Sequence, residues 1–278
     1  MPDAALPAPG SLDALVTAHK TTLDAAVAAT RHRGSWSAFA ESPSTKIWGE
    51  DAPAAGKAAF DSLLGKDFPL STPGAVGTVA PERSPYGIAI DVRYPHVAAA
   101  DASTLLDAAA AGMTPWRDAG ALRRAVVGIE ILQRIDTRSF EFAHAVMHTT
   151  GQGFVMAFQA GGAHALDRAL EAIAYSYAAM DSVPATVTWE KPRGRGEPQR
   201  MTKTFSVVPR GVALVIGCNT FPTWNSYPGL FASLVTGNAV VVKPHPHAVL
   251  PLALAVSVAR SVLAEYGFDP NLVTLAVE

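Results

Sequence analysis

Three side chains in the last third of the sequence have the chemistry of an active site. The stretch GVALVIGCNTFPTW, residues 211–224, places the only cysteine, Cys218, beside Asn219 at the end of an apolar run. The run GNAVVVKP ends in Lys243 and a proline. An amide NH₂ can donate to developing negative charge on a carbonyl oxygen, an ammonium can bind ribose hydroxyls or phosphate, and a thiolate can attack an electrophile.

Each of these residues also has a purely structural interpretation. Asn219 can organise the turn before Pro222, and Lys243 can be a solvated lysine at a sheet edge. Cys218 follows an apolar strand, cysteine is often buried, and the sequence implies no adjacent base to activate the thiol. Spacing alone leaves these alternatives open.

Two binding patterns are incomplete. The pairs His144/His148 and His245/His247 lack a third ligand and an HExxH pattern, so no metal site is predicted. The segment GCNTFPTW also lacks the GxGxxG pattern of an ordinary dinucleotide turn. Pyrophosphate binding in the usual first-turn manner is therefore unsupported.

The apolar pattern of residues 210–278 predicts the elements that position these side chains. Buried-type strands alternate with segments of helical spacing in the order strand, helix, strand, helix, strand. This order is typical of a parallel, doubly wound α/β unit. A ligand is expected beyond the carboxyl ends of the strands, where CNTFP and KPHPH lie.

The rest of the chain divides by composition into three parts. Residues 1–96 form a helical and loop-rich N-terminal extension with a helix over 12–30, and residues 97–184 have the spacing of four helices. Asp118 and Ser139 are the expected N-caps in that helical part. Residues 185–209 contain two β-rich runs around a polar loop, which predicts a β-arm that docks on another subunit of a homo-oligomer.

Composition excludes several classes of function. Twenty-two Lys and Arg against twenty-four Asp and Glu give a formal charge of −2, without the basic blocks that draw nucleic acid. The apolar runs are far shorter than the roughly 20 residues of a membrane span. A single cysteine cannot form an internal disulfide, and the N-terminus MPDAALPAPG lacks the regions of a secretory signal. We therefore expect a cytoplasmic protein that binds neither nucleic acid nor membrane.

Longer stretches of the sequence resemble one family. GVALVIGCNTFPTW followed by TGNAVVVKP is similar to the core segments of the aldehyde dehydrogenase superfamily, and residues 97–278 follow the front half of that family in order. ERSPYG, the stretch from MHTTGQG to EAIAY, and CNTFPTWNSYPG look most like its phenylacetic acid degradation branch, called PaaN. The resemblance implies an α/β aldehyde dehydrogenase fold, in which residues 210–278 are the first βαβαβ of the cofactor-binding sheet.

The resemblance also implies roles for individual residues. Asn219 matches the asparagine that helps to form the family's oxyanion hole, and Lys243 matches the lysine that contacts the adenosine ribose of NAD(P). Cys218 stands where the family has a tryptophan and is not its nucleophile. The residues expected to bind the cofactor are Ile216, Gly217, Cys218, Lys243 and His245.

Three departures from the family pattern matter. Thr220 lengthens NFP to NTFP and affects the orientation of Asn219. Pro246 stands where many NAD-preferring members carry a glutamate that binds the ribose hydroxyls, so use of NADP as well as NAD is credible. The family's catalytic cysteine and glutamate would lie beyond residue 278, so the chain is expected to be an N-terminal fragment, inactive by itself.

The expected function of the intact protein is NAD(P)-dependent oxidation of a small-molecule aldehyde, by resemblance a semialdehyde of phenylacetate degradation. Two alternatives stay open: a thiol hydrolase or acyltransferase that uses Cys218, and a non-catalytic fragment that only assembles through its arm.

Overall fold

The computed structural model describes residues 11–278 as a mixed α/β structure. Within that range the chain forms eleven α-helices. Their bounds are α1 Leu12–His32, α2 Thr45–Trp48, α3 Ala52–Asp61, α4 Ala102–Ala111, α5 Met113–Asp118, α6 Ala121–Asp136, α7 Ser139–Thr150, α8 Phe154–Phe158, α9 His164–Asp181, α10 Pro222–Val235 and α11 Leu250–Glu265. A π-helical turn, Gln159–Ala163, joins α8 to α9.

Within residues 11–278, seven strands form three separate sheets. The strands are β1 Gly77–Val79, β2 Tyr94–His96, β3 Thr186–Lys191, β4 Gln199–Thr204, β5 Val212–Ile216, β6 Ala239–Lys243 and β7 Val273–Leu275. The pairs β1–β2 and β3–β4 are antiparallel, and the third sheet has the order β5-β6-β7 with parallel pairing throughout. The predicted strand, helix, strand, helix, strand unit is thus confirmed.

Helices cover both faces of the parallel sheet. Helices α10 and α11 pack on one face, where Val240 and Val242 are fully buried. Helix α4 packs on the other face, where Val241 contacts Val97 and Leu105. The central strand is apolar at four successive positions because both of its faces are covered.

The edge strand β5 is less completely covered. Leu214 and Ile216 are 60% and 65% exposed, and both lie on the face that carries α4. This leaves an apolar strip beside the end of β6.

The helical layer between the N-terminal region and the sheet forms the main core. Helices α6 and α9 pack together, α1 packs against both, and α9 also packs along α10. Arg124 of α6 is 2% exposed and donates from Nε to the carbonyl of Val235 at 2.7 Å and from an Nη to the carbonyl of Arg117 at 2.6 Å. The arginine thereby satisfies carbonyls at the C-terminal ends of α5 and α10.

Both predicted N-caps are wrong. Asp118 is the last residue of α5 and pairs with Arg117, so that α6 begins after Gly120. Ser139 is the first residue of α7 and donates its hydroxyl to the carbonyl of Asp136. Spacing located these helices within a few residues, but the local turn decides which residue caps them.

The predicted β-arm is the hairpin β3–β4. Every residue of both strands is exposed, and Thr186 pairs with Thr204 at one end and Lys191 with Gln199 at the other. Among the described residues, no helix has the length and apolar composition needed to span a bilayer.

Candidate functional site

The carboxyl ends of β5 and β6 place Ile216 and Lys243, two of the predicted site residues, side by side. Ile216 and Lys243 are paired in the parallel register, so they project to the same face of the sheet. The backbone N–H of Gly217 donates to the carbonyl of Lys243 at 2.8 Å. This bond keeps the two strand ends together where the loops 217–221 and 244–249 begin.

Lys243 lines a groove between α4 and the sheet. The groove encloses a cavity of about 220 Å³, and its lining includes Leu105, Leu214, Val241 and Lys243. The Lys243 side chain is 33% exposed, and its Nζ lies 3.0 Å from a carboxylate oxygen of Glu278. An ammonium at the edge of an apolar groove suits a ligand that combines a flat apolar group with hydroxyls or phosphate.

The loop after β5 orients Asn219 separately from this groove, since Asn219 is not among the groove-lining residues. The Asn219 Oδ1 is buried without a donor in the described part of the chain. The side chain therefore turns its carbonyl oxygen inward. Such an arrangement suits stabilisation of negative charge on a ligand oxygen.

Cys218 has a structural contact in the same loop. Its Sγ accepts a hydrogen bond from the backbone N–H of Phe221 at 3.4 Å, which closes the turn that contains Asn219. Gly217 faces the opposite way: a Cβ there would lie 2.6 Å from Leu252 Cδ1 of α11. Gly217 thus allows close packing on the helical side of the sheet, and its expected place in the cofactor cleft stays a prediction.

Gln152, which the sequence did not indicate, forms a hydrogen bond to this loop from a distant part of the chain. It lies between α7 and α8, and its Nε2 donates to the carbonyl of Thr220 at 2.5 Å. Thr223, at the start of α10, donates its hydroxyl to the carbonyl of Gly161 in the π-helical turn at 2.8 Å. The loop is therefore fixed to the helical layer as well as to the sheet.

Glu82 is a second residue that the sequence did not indicate. Its carboxylate is 4% exposed and accepts the backbone N–H groups of Val249 and Leu250, at 2.6 and 2.8 Å, and the hydroxyl of Tyr94 at 2.5 Å. The two amides begin α11, where the helix dipole favours an anion. Burial nevertheless raises the pKa of Glu82 to about 7, against the opposing effect of its three donors.

The loop after β6 carries His245 and His247. The Nδ1 of His245 accepts the backbone N–H of His247 at 3.1 Å, and their rings meet edge to face at 5.2 Å. Pro246 between them is exposed. His245 thus stands next to Lys243 and Pro244 at the open end of β6.

The other histidine pair belongs to an aromatic cluster. The ring of His148 stacks on Phe60 at 5.0 Å, and its Nδ1 lies 3.2 Å from the hydroxyl of Ser84. Burial lowers the pKa of both His144 and His148. Among residues 11–278 no three histidine, cysteine or acidic side chains come together as a metal site.

Comparison of the sequence with protein-family models shows to which family this architecture belongs. The model described as "Aldehyde dehydrogenase family" matches residues 75–277, which is most of the chain. The chain belongs to the aldehyde dehydrogenase family. The match contains both strand-end loops and begins inside the segment predicted to be an extension. A comparison with curated protein sequences finds no match.

Solved aldehyde dehydrogenase structures share the fold. The NAD-dependent aldehyde dehydrogenase of Burkholderia multivorans is 56% identical, with a TM-score of 0.91 over 95% of this chain and 47% of that chain. The 1-pyrroline-5-carboxylate dehydrogenase of Thermus thermophilus, in its R100A form, is 20% identical, with a TM-score of 0.60 over 82% of this chain and 42% of that one.

A third structure, glyceraldehyde-3-phosphate dehydrogenase GapN of Methanocaldococcus jannaschii in complex with NADP, is 15% identical. Its TM-score is 0.54 over 74% of this chain and 41% of that chain. This chain therefore spans about half the length of the aldehyde dehydrogenases that it resembles.

Proposed function

We propose that this chain carries the cofactor groove and the oxyanion donor of an NAD(P)-dependent aldehyde dehydrogenase. The observation that carries the proposal is the place of Asn219, in the loop at the carboxyl end of β5, with an Oδ1 that is buried without a donor among the described residues. Family membership supports the same assignment, because the matched range contains Asn219 and Lys243.

The nucleophile of the proposed reaction comes from outside residues 1–278. Cys218 is the only cysteine in these residues, and its Sγ accepts the Phe221 N–H within the turn. A thiolate from the remainder of the intact protein adds to the aldehyde carbon, and the carbonyl π electrons move onto the oxygen. Asn219 donates its N–H to that oxyanion and so stabilises the transition state more than the bound aldehyde.

The groove over the sheet fits a dinucleotide. Exposed Leu214 and Ile216 offer an apolar surface to a flat ring, and Lys243 offers an ammonium to ribose hydroxyls or phosphate. His245 adds a polar side chain at the open end of β6. When bound, NAD(P)⁺ would accept the hydride that the aldehyde carbon loses on oxidation, and water or another nucleophile would then displace the thiol to give the acid or another acyl product.

The finer assignments form part of the same proposal. The exposed Pro246 presents no anion to a 2′-phosphate, whereas the Glu278 carboxylate lies 3.0 Å from the Lys243 Nζ in the same groove, so NAD and NADP both belong to the proposal. The resemblance to the phenylacetic acid degradation branch supports a semialdehyde of that route as substrate. The exposed hairpin of residues 185–209 supports assembly into a homo-oligomer. The chain without the remainder of the protein is inactive in this account.

The experiment replaces Asn219 by alanine in the intact protein. We expect kcat for aldehyde oxidation to fall by about 10²–10³-fold, equivalent to roughly 2.7–4 kcal/mol, because one oxyanion donor is lost. The NAD(P)⁺ dissociation constant should stay unchanged, since Asn219 does not line the groove.

Asn225→Ala is the matched control, because Asn225 lies one turn into α10 and is exposed. It should leave kcat unchanged. A wild-type kcat in Asn219→Ala would contradict the proposal.

A further inference from the structure

We infer that Gln152 is a positioning residue for Asn219, and that Tyr86 in turn holds Gln152. This inference rests on the proposed role of Asn219 as an oxyanion donor. It concerns residues 84–87, and residues 149–153 at the end of α7 and in the turn that follows it.

The first observation is the way in which the Asn219 turn is held. Residues Asn219 and Thr220 lie between two fixed points, the Cys218 Sγ bond to Phe221 N–H at 3.4 Å and the Gln152 Nε2 bond to the Thr220 carbonyl at 2.5 Å. The Gln152 bond acts on the residue that immediately follows Asn219. Because the Thr220 carbonyl is fixed, the backbone at Asn219 loses the rotation that would swing its amide away.

The second observation is that Gln152 is itself held in place. The Tyr86 hydroxyl lies 3.0 and 2.9 Å from the backbone carbonyls of Gly151 and Gln152, which share its single O–H donor. Gly151 ends α7 with φ of 82°, a left-handed conformation that glycine adopts without strain, and a Cβ there would lie 3.3 Å from Pro85 Cγ. The turn that carries Gln152 is thus pinned by the neighbouring SPYG segment.

The third observation is an unpaired atom. The Oε1 of Gln152 is buried without a donor in the described part of the chain, as is the Oδ1 of Asn219. A buried acceptor without a partner is unfavourable for stability. The Gln152 amide therefore keeps an orientation in which its N–H group is used at a free-energy cost to its oxygen, which is the pattern expected where orientation serves function.

Gln152 therefore acts through Asn219 and not on the substrate. Without the Gln152 N–H, the turn keeps the bond between Cys218 Sγ and the Phe221 N–H, but the Thr220 backbone gains conformational freedom. The Asn219 side-chain amide then spends less time at the oxyanion position. A misplacement of about 1 Å can lower a rate by roughly 10²-fold. The expected loss lies below that of removing the Asn219 donor itself.

The test is a double-mutant cycle on kcat in the intact protein. Gln152→Met keeps the length of the side chain but removes the donor, and should lower kcat about tenfold without changing the NAD(P)⁺ dissociation constant. Gln152→Lys restores an N–H donor and should recover most of the lost kcat. In the Asn219→Ala background Gln152→Met should lower kcat no further, because the group that it positions is absent.

Two further variants make the cycle decisive. Tyr86→Phe removes only a hydroxyl and should lower kcat less than Gln152→Met does. This loss should also disappear in the Asn219→Ala background. If Gln152→Met does not fold, Tyr86→Phe takes its place in the cycle. Gln133→Met is the matched control, because Gln133 lies exposed on α6, and it should leave kcat unchanged.

The outcomes separate the two proposals. If Asn219→Ala lowers kcat and Gln152→Met lowers it equally in both backgrounds, the positioning role is overturned while the proposed function stands. A wild-type kcat in both Gln152→Met and Tyr86→Phe would likewise overturn the positioning role. If Asn219→Ala leaves kcat unchanged, the proposed function fails first, and the positioning role fails with it.

Discussion

Replacement of Glu82 by glutamine should change the pH dependence of stability. The buried carboxyl accepts two amides at the start of α11 and the Tyr94 hydroxyl, and glutamine keeps one oxygen for the amides while it cannot ionise. Burial raises the pKa of Glu82 from 4.5 to about 7. The folded protein therefore binds this proton more tightly than the unfolded chain does.

The sign and size of the effect follow from linkage. A carboxyl whose pKa is raised by folding contributes fully to stability below pH 4.5, and that contribution is lost as the pH rises through about 7. The interval of about 2.5 pH units corresponds to roughly 3 kcal/mol at about 1.36 kcal/mol per unit. The quantity to compare is the free energy of unfolding of Glu82→Gln minus that of the wild type. This difference should be about 3 kcal/mol larger above pH 7 than at pH 4.5.

Urea denaturation of the intact protein from pH 4.5 to 8, followed by tryptophan fluorescence, measures this difference. Asp136→Asn is a second test of the same reasoning, because burial also raises the pKa of Asp136, to about 6, so its effect on stability should change with pH in the same direction. Asp136 is unchanged in Glu82→Gln, so its own contribution cancels when that variant is compared with wild type. A difference between wild type and Glu82→Gln that stays constant with pH, or that favours the wild type as pH rises, would refute the reasoning.

Two further predictions concern Arg124 and Cys218. Arg124→Met should lower the free energy of unfolding by about 3 kcal/mol in urea denaturation, because the buried carbonyls of Val235 and Arg117 lose a charged donor; stability equal to wild type would show that those carbonyls find other donors. Cys218→Ser should keep aldehyde oxidation in the intact protein, since a hydroxyl can still accept the Phe221 N–H; complete loss of activity, with the variant folded, would support a thiol mechanism instead.

The parallel unit could be predicted from the sequence because its signals are local. Apolar runs such as residues 239–242 are continuous where both faces of a strand are covered, and proline or glycine marks where the strands and helices end. Helix N-caps could not be predicted in the same way. Asp118 has the right side chain for an N-cap, but it pairs with Arg117 inside α5.

The candidate site was only partly predictable. Asn219 and Lys243 lie at the carboxyl ends of parallel strands, which is where ligands bind in doubly wound α/β folds. Gln152 and Glu82 act across long sequence separations, on Thr220 and on Val249 respectively, and nothing in their own surroundings indicates those partners. The glycine and proline content of SPYG and TTGQG indicates rigid turns but does not reveal what the turns hold.

Cofactor binding at Lys243 tests the central claim most directly. Titration of the intact protein and of Lys243→Ala with NAD⁺ and NADP⁺ should show dissociation constants about 10-fold higher or more for the variant, the loss expected for a charged hydrogen-bond donor. Lys57→Ala is the control, because Lys57 is exposed and pairs with Asp61 in α3. Equal dissociation constants for Lys243→Ala and wild type would contradict the assignment of the groove over the sheet as the nucleotide site.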